Sequence, residues 1–376
     1  MTRIYLDHNA TTPLRPEARA AMLEVMDRVG NPSAVNSEGR RARAEMERAR
    51  GDVARLIGGL PEAITFTSGG SEGAATLLSP GFAGATRLIV GAAEHSCVRS
   101  GGCFLPDDVS VTPVDGESRI DLAALEERLS APGRALVAVQ AVNNETGVIQ
   151  PLAEVASLCR KHDAALVVDA VQAIGKIDFD YAALGAEAVF LSGHKFGAAQ
   201  GTGAIWAKSP LVPLIRGGGQ EGWRRAGTEN LVGIVSMGAA ARAVQEHGKA
   251  EQARIAALRD WMEVAVATIY PDVVVLGRRA PRVSNTSSLL LSGVSAETTV
   301  IALDLSRVSL AAGSACASGK VAPSHVLAAM GLSAVDARSV LRISAGWTTT
   351  SECMKVCVSA LRQHLERLSA SRAKVA

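Results

Sequence analysis

Short, unbroken apolar runs recur along this chain, at residues 63–67, 88–92, 135–141, 165–168, 188–191 and 203–206. A strand with one face in water alternates apolar and polar residues, whereas a strand covered on both faces reads as continuous Val, Ile, Leu and Ala. Runs of this length, with helix-compatible sequence between them, predict a parallel α/β sheet carrying helices on both faces. The intervening segments have helical signatures of their own. Residues 38–57 set Met46, Ala49, Val53 and Leu56 on one face before Gly58-Gly59 stops the helix. Residues 151–162 read as a second helix.

After about residue 250 the character changes. Helical sequence over 251–267 leads to a strand-like run at 284–291. The chain finishes on a helix in which Met354, Val358, Leu361, Leu365 and Leu368 step by four and three. This predicts a smaller α+β domain with the last helix packed on it, fraying over 370–376.

Bulk properties narrow the function classes. A chain of 376 residues with 48% hydrophobic and 20% charged residues reads as globular, with room for two domains. A net charge of +2 gives no reason to expect a nucleic acid or a membrane as partner, and 3% aromatics leaves little for base stacking. No apolar run approaches the ~20 residues that span a bilayer, and Met1-Thr2-Arg3-Ile4-Tyr5-Leu6-Asp7 carries no signal core. The six cysteines form no C-x-x-C pair and are too sparse for a disulfide scaffold, so a cytoplasmic protein without structural zinc is expected.

In an open α/β sheet, ligands bind beyond the carboxyl ends of the strands. Here those ends lead into Ser68-Gly69-Gly70-Ser71-Glu72, Glu94-His95, Asn143-Asn144-Glu145-Thr146-Gly147, Asp169 with Gln172, and Ser192-Gly193-His194-Lys195. Glycines, hydroxyls and the free N–H groups of a helix start make an anion cup. A lysine among small residues at the mouth of a buried strand is placed to form an imine with an aldehyde cofactor. Taken singly, the Gly-Gly-Ser turn is more often a plain strand-to-helix connection, Asp169 a turn carboxylate and His95 a structural histidine. Together, a phosphate cup, an imine lysine, a carboxylate for a pyridinium nitrogen and a flat imidazole describe a pyridoxal phosphate site.

Longer motifs agree. They are Tyr5-Leu6-Asp7-His8-Asn9-Ala10-Thr11-Thr12-Pro13, Val142-Asn143-Asn144-Glu145-Thr146-Gly147, Arg225-Ala226-Gly227-Thr228-Glu229-Asn230, Gly313-Ser314-Ala315-Cys316-Ala317-Ser318-Gly319 and Arg342-Ile343-Ser344-Ala345-Gly346. With them, nearly the whole chain resembles the NifS/IscS-type cysteine desulfurases, class V aminotransferase relatives among the fold type I pyridoxal phosphate (PLP) enzymes. The resemblance implies a large domain on a mostly parallel seven-stranded sheet flanked by helices, at 14–252, and a smaller α+β domain from 1–13 and 253–376. It implies that Lys195 carries the cofactor, Asp169 pairs with the pyridine nitrogen, Gln172 meets the ring hydroxyl, and His95 stacks on the ring and moves protons. Gly70, Ser71, Ser192 and His194 would hold the phosphate, with Thr228 reaching in from the partner subunit of a homodimer. Asn144 would touch the cofactor and, with the planar fork of Arg342, grip the substrate carboxylate.

Cys316 decides between chemistries. Its neighbours over 311–320 are small and polar, which suits an exposed loop and gives no apolar reason for a thiol there. Cys159 and Cys357, inside helix patterns, are instead expected to be buried. The resemblance implies that the Cys316 thiolate attacks the sulfur of cofactor-bound L-cysteine, yielding a persulfide and L-alanine. The sulfur would pass to an acceptor such as an iron–sulfur scaffold protein, for cluster assembly or for transfer-RNA thiolation. No resident metal is expected, although Cys316 would be able to contact a nascent cluster. The longer form of its loop points to the NifS/IscS-like rather than the SufS-like group.

Rival readings are another class V PLP enzyme, either an aminotransferase that needs no thiol or a selenocysteine lyase, and a scaffold without turnover. Retention of Lys195, Asp169, His95, Arg342 and Cys316 together argues against the scaffold. The chain departs from the usual pattern at Asn36, Ala198, Ala199, Gln200, Gly222 and Trp347. These positions bear on packing around the site and on the acceptor surface.

Overall fold

The computed structural model describes residues 3–178, 180–313 and 324–375, with backbone alone for 371–375; Cys316 lies outside the described residues. After the short β1 (Ile4–Tyr5) come β2 (Ile64–Thr67), β3 (Arg87–Gly91), β4 (Val109–Thr112), β5 (Ala135–Gln140), β6 (Ala165–Asp169), β7 (Ala188–Ser192) and β8 (Gly203–Ala207). These last seven form one sheet in the order β2-β8-β7-β6-β5-β3-β4. Every pairing is parallel except those of β8, which runs antiparallel to both neighbours. The chain thus has the α/β architecture of fold type I.

Strands β5 to β8 are buried at every position, as their continuous apolar sequences require. Alternate residues feed opposite faces. Ile89, Val137 and Val139 pack with helices Ser37–Leu56, Leu122–Leu129 and Leu152–Lys161, while Leu88, Val90, Leu136 and Ala138 pack with Gly70–Leu77. Asn36, one of the departures from the expected pattern, caps Ser37–Leu56, its Oδ1 accepting the Gly39 N–H at 2.8 Å.

A second sheet uses β9 (Val274–Val275), β10 (Thr286–Leu290), β12 (Ala311–Ala312) and β13 (Val340–Ser344) in the antiparallel order β12-β13-β10-β9, while β11 (Val308–Ser309) pairs with β1 in parallel. Helix Ser351–Val375 packs on it through Met354, Cys357, Val358 and Leu361. Both buried cysteines expected from the helix patterns, Cys159 and Cys357, are at most 2% exposed.

The helix expected at 251–267 is the second half of one 39-residue helix, Leu231–Ile269. At about 1.5 Å per residue it reaches about 60 Å. Ile234, Met237, Ala240 and Val244 join the core of the large sheet, and Ile255, Met262 and Val266 join that of the small one. Gly238 lies where this helix meets Ser37–Leu56: a Cβ there would stand 2.7 Å from Ala49 Cα. Among the described residues no helix is long and apolar enough to cross a membrane.

One buried ion pair fixes the loop that follows the large sheet. Arg50 and Glu221, 5% and 6% exposed, face each other through two hydrogen bonds of 2.8 Å. Arg50 also donates to Ile64 O at 2.9 Å, and Glu221 accepts the Phe66 N–H at 3.0 Å. Glu221→Ala would leave the buried guanidinium with only the half-exposed Glu47, which accepts its Nε–H at 3.0 Å, so the variant is expected to lose about 3 kcal/mol of unfolding free energy. Urea unfolding followed by circular dichroism measures this; an unchanged midpoint would contradict it.

Candidate active site

The carboxyl ends of β5, β6 and β7 meet the start of helix Gly70–Leu77, the segment after β1 and strand β13 around a cavity of about 390 Å3. On its wall stand ten of the twelve residues singled out from the sequence: Gly70, Ser71, His95, Asn144, Asp169, Gln172, Ser192, His194, Lys195 and Arg342. Thr228 does not join them; it lines a separate recess with Arg225 and Asn230. Cys316 is outside the described residues.

Lys195 ends a tight turn directly after β7. Its Nζ donates to the carbonyls of Asn9 at 2.7 Å and Ala10 at 2.8 Å, which aim the amine at the cavity mouth. Asp169 ends β6 at 7% exposure, and its Oδ1 accepts the Val171 N–H at 2.8 Å. Burial raises its carboxyl to about 6, against the opposing effects of that hydrogen bond and of Lys195. Among the described residues it has no ion-pair partner. A buried carboxylate so placed is short of a cation, and a protonated ring nitrogen supplies one.

His95 caps the turn Ser96–Arg99 and its Nδ1 accepts the Cys97 N–H at 3.2 Å. Burial, then Lys195 and His325, lower its pKa, and in the neutral ring an accepting Nδ1 leaves the proton to Nε2. Burial and Lys195 likewise bring His194 to about 4, and its Nδ1 lies 3.0 Å from Thr11 Oγ1.

Beside the cavity, and sharing Gly70, Ser71, Ser192 and His194 with it, a recess opens at the first turn of Gly70–Leu77. Glycine there brings the backbone close: a Cβ on Gly70 would fall 2.9 Å from Val171 Cγ2. Free N–H groups, hydroxyls and an imidazole suit a phosphate. The one carboxylate on this rim, Glu72, is neutralised by Arg225 at 2.9 Å and accepts the Ser68 N–H at 2.8 Å. Cavity and recess together therefore fit pyridoxal phosphate, with a carboxylate at one end, an amine at the side and an anion cup at the other end.

Arg342 projects from β13 at 4% exposure. It donates to Asp7 Oδ1 at 2.7 Å and to Asn144 O at 3.2 Å, while its buried Nε has no hydrogen-bond partner among the described residues. Arg342 lines the cavity, and its guanidinium has donors beyond those two contacts with which to receive a second carboxylate.

Reasoning from the sequence missed Asp7, Asn9, Cys97 and Lys176 as parts of this site. Asn9 is its hub. Its carbonyl also accepts from Gln172 Nε2 at 2.8 Å, its Nδ2 donates to Asn144 O at 3.0 Å, and its N–H donates to Ser344 Oγ at 3.0 Å. The signal was present in the motif Tyr5 to Pro13, but carbonyl contacts leave no mark on residue type. Cys97 lines the cavity 3.0 Å from His95 Nδ1, and burial followed by Asp169 pushes its thiol to about 12.

Residues 4–355 match the profile of the aminotransferase class-V family. The chain belongs to that family. A cysteine desulfurase of Cereibacter sphaeroides is 38% identical over 94% of this chain and 93% of its own, and the cysteine desulfurase IscS of Dictyoglomus turgidum is 35% identical over 97% and 95%. The NifS-like protein of Rickettsia africae superposes with a TM-score of 0.90 at 31% identity, covering 97% of this chain and 99% of that one. Within the class-V aminotransferases the chain is of the NifS/IscS-like cysteine desulfurase group, and like that group it is a PLP-dependent enzyme.

Proposed function

We propose that this class-V enzyme takes sulfur from L-cysteine, releases L-alanine and carries the sulfur on Cys316 as a persulfide. The observation that carries this reading is the meeting of an amine (Lys195), a buried carboxylate with no ion-pair partner among the described residues (Asp169) and a buried guanidinium (Arg342) around one cavity. The names of the related desulfurases supply the substrate.

When bound, PLP supplies an electron-withdrawing ring that takes up the electron pair released at the amino acid's α-carbon. Lys195 Nζ would hold the cofactor aldehyde covalently and, once displaced by the substrate amine, move the α-proton. Asp169 would keep the ring nitrogen protonated, Gln172 would meet the ring hydroxyl, and His95, with its proton on Nε2, would lie on the ring. Gly70, Ser71, Ser192 and His194 would bind the phosphate. Arg342 and Asn144 would orient the substrate carboxylate. The Cys316 thiolate forms an S–S bond to the substrate sulfur as the Cβ–S bond breaks. Cys316 is thereby oxidised to a persulfide, and the β-carbon is reduced to the methyl of alanine.

The position of Thr228, away from its own cavity, supports a homodimer in which a second copy provides it. The two hydrophobic clusters support a division into 14–252 and 1–13 with 253–376, the boundary at 252 falling within helix Leu231–Ile269. We assign the enzyme to the cytoplasm and its sulfur to a protein acceptor, an iron–sulfur scaffold or the machinery of transfer-RNA thiolation.

Incubation of holoenzyme with L-cysteine and a thiol reductant should release alanine and sulfide in equal amounts. Pyruvate formation with ammonia would point to β-elimination by a lyase, and amino transfer to a 2-oxo acid at a greater rate to an aminotransferase; selective turnover of selenocysteine would point to the selenocysteine lyase.

A further inference from the structure

Behind Gln172, in the turn after β6, Lys176 lines a small recess that Lys195 separates from the cavity. The amine donates to Asn9 Oδ1 at 2.8 Å and to Gln172 Oε1. No carboxylate among the described residues pairs with it. Burial, with the cations Lys195 and Arg342, pushes it well below the usual lysine range. The two side-chain carbonyl oxygens of Asn9 and Gln172 accept two of its N–H groups.

This arrangement reads Gln172 in one direction. Oε1 is taken by Lys176, one Nε2 hydrogen goes to Asn9 O at 2.8 Å, and the second Nε2 hydrogen is left for the cavity that Gln172 lines. A flipped amide would set Oε1 against the carbonyl oxygen of Asn9 and take the acceptor away from Lys176.

We propose that Lys176 is a positioning residue, locking the Gln172 side chain so that an N–H, not a carbonyl, faces the hydroxyl oxygen of the cofactor ring. The inference rests on the assignment of Gln172 to that oxygen. A donor there stabilises the ionised oxygen and so keeps low the pH midpoint of the holoenzyme's visible absorption band. The other charged and titratable groups around this network are Lys195, Arg342 with its partner Asp7, Asp169, and His8, whose own pKa Lys176 helps to lower.

The test uses holoenzyme carrying Lys176→Met, Gln172→Leu or both, with spectra recorded against pH and PLP affinity measured by titration of the apo forms. Lys176→Met should raise the midpoint by about one unit and weaken PLP binding about tenfold. Gln172→Leu should do the same, and the double variant should move no further than Gln172→Leu alone, because the lysine acts through the amide. A Lys176→Met midpoint equal to wild type, or single shifts that add in the double variant, overturns the proposal. Should Lys176→Met fail to fold by circular dichroism, the Gln172→Leu midpoint decides: unchanged, it overturns the proposal, and raised, it supports it. A wild-type protein with no visible band in the presence of PLP overturns instead the cofactor reading beneath it.

Discussion

Lys195→Ala protein should remain colourless when supplied with PLP and turn over L-cysteine on the order of 10^4-fold more slowly, or worse. Alanine has no amine to join the cofactor aldehyde, and the α-proton loses the base held by the carbonyls of Asn9 and Ala10. The change also removes a positive charge that opposes the effect of burial on Asp169, so that carboxyl would rise further. Visible absorbance reports the lost covalent hold and alanine release reports the lost turnover. A coloured variant with ordinary turnover would mean that another amine carries the cofactor.

Cys316→Ala should behave in the opposite way, staying yellow with PLP while sulfide release from L-cysteine falls by at least about 10^3-fold. Three of the five thiols that the structure describes make poor substitutes. Cys97 stands on the cavity wall, yet its thiol is pushed to about 12, far from a thiolate at neutral pH. Cys159 and Cys357 are likewise raised to about 12 by burial inside helices. Mass spectrometry of the wild-type protein after one turnover should find an extra sulfur on the peptide containing Cys316. Normal sulfide release from the variant would remove Cys316 from the reaction.

The strands whose sequences are continuous Val, Ile, Leu and Ala were legible from residue type, because burial on both faces leaves no polar alternation. β4 was not: Val109-Ser110-Val111-Thr112 is a four-residue strand at the sheet edge with Val111 exposed, so it lacks the continuous apolar run that marks the others. The first half of helix Leu231–Ile269 was also missed. Gly238 in that half allows the helix to pack closely against Ala49. In the site, residues that act through side chains at strand ends could be picked out. Asn9 and Lys176 could not, because one binds partners distant in sequence through main chain and side chain alike and the other meets Gln172 four residues away within a turn, where neither residue type announces a ligand. Asp7 is visible only once β13 sets Arg342 beside it.

Asp7 and Asn9 are tied to Arg342 and Ser344, partners 335 positions further along the chain. His8 nests against Gly346 so tightly that a Cβ there would sit 2.0 Å from its Nδ1. A ribosome therefore delivers one wall of the chamber 335 residues before its clasp. Until β13 emerges, the nascent polypeptide can fold its main sheet but cannot close the compartment where PLP is held, so loading with the vitamin waits for that strand.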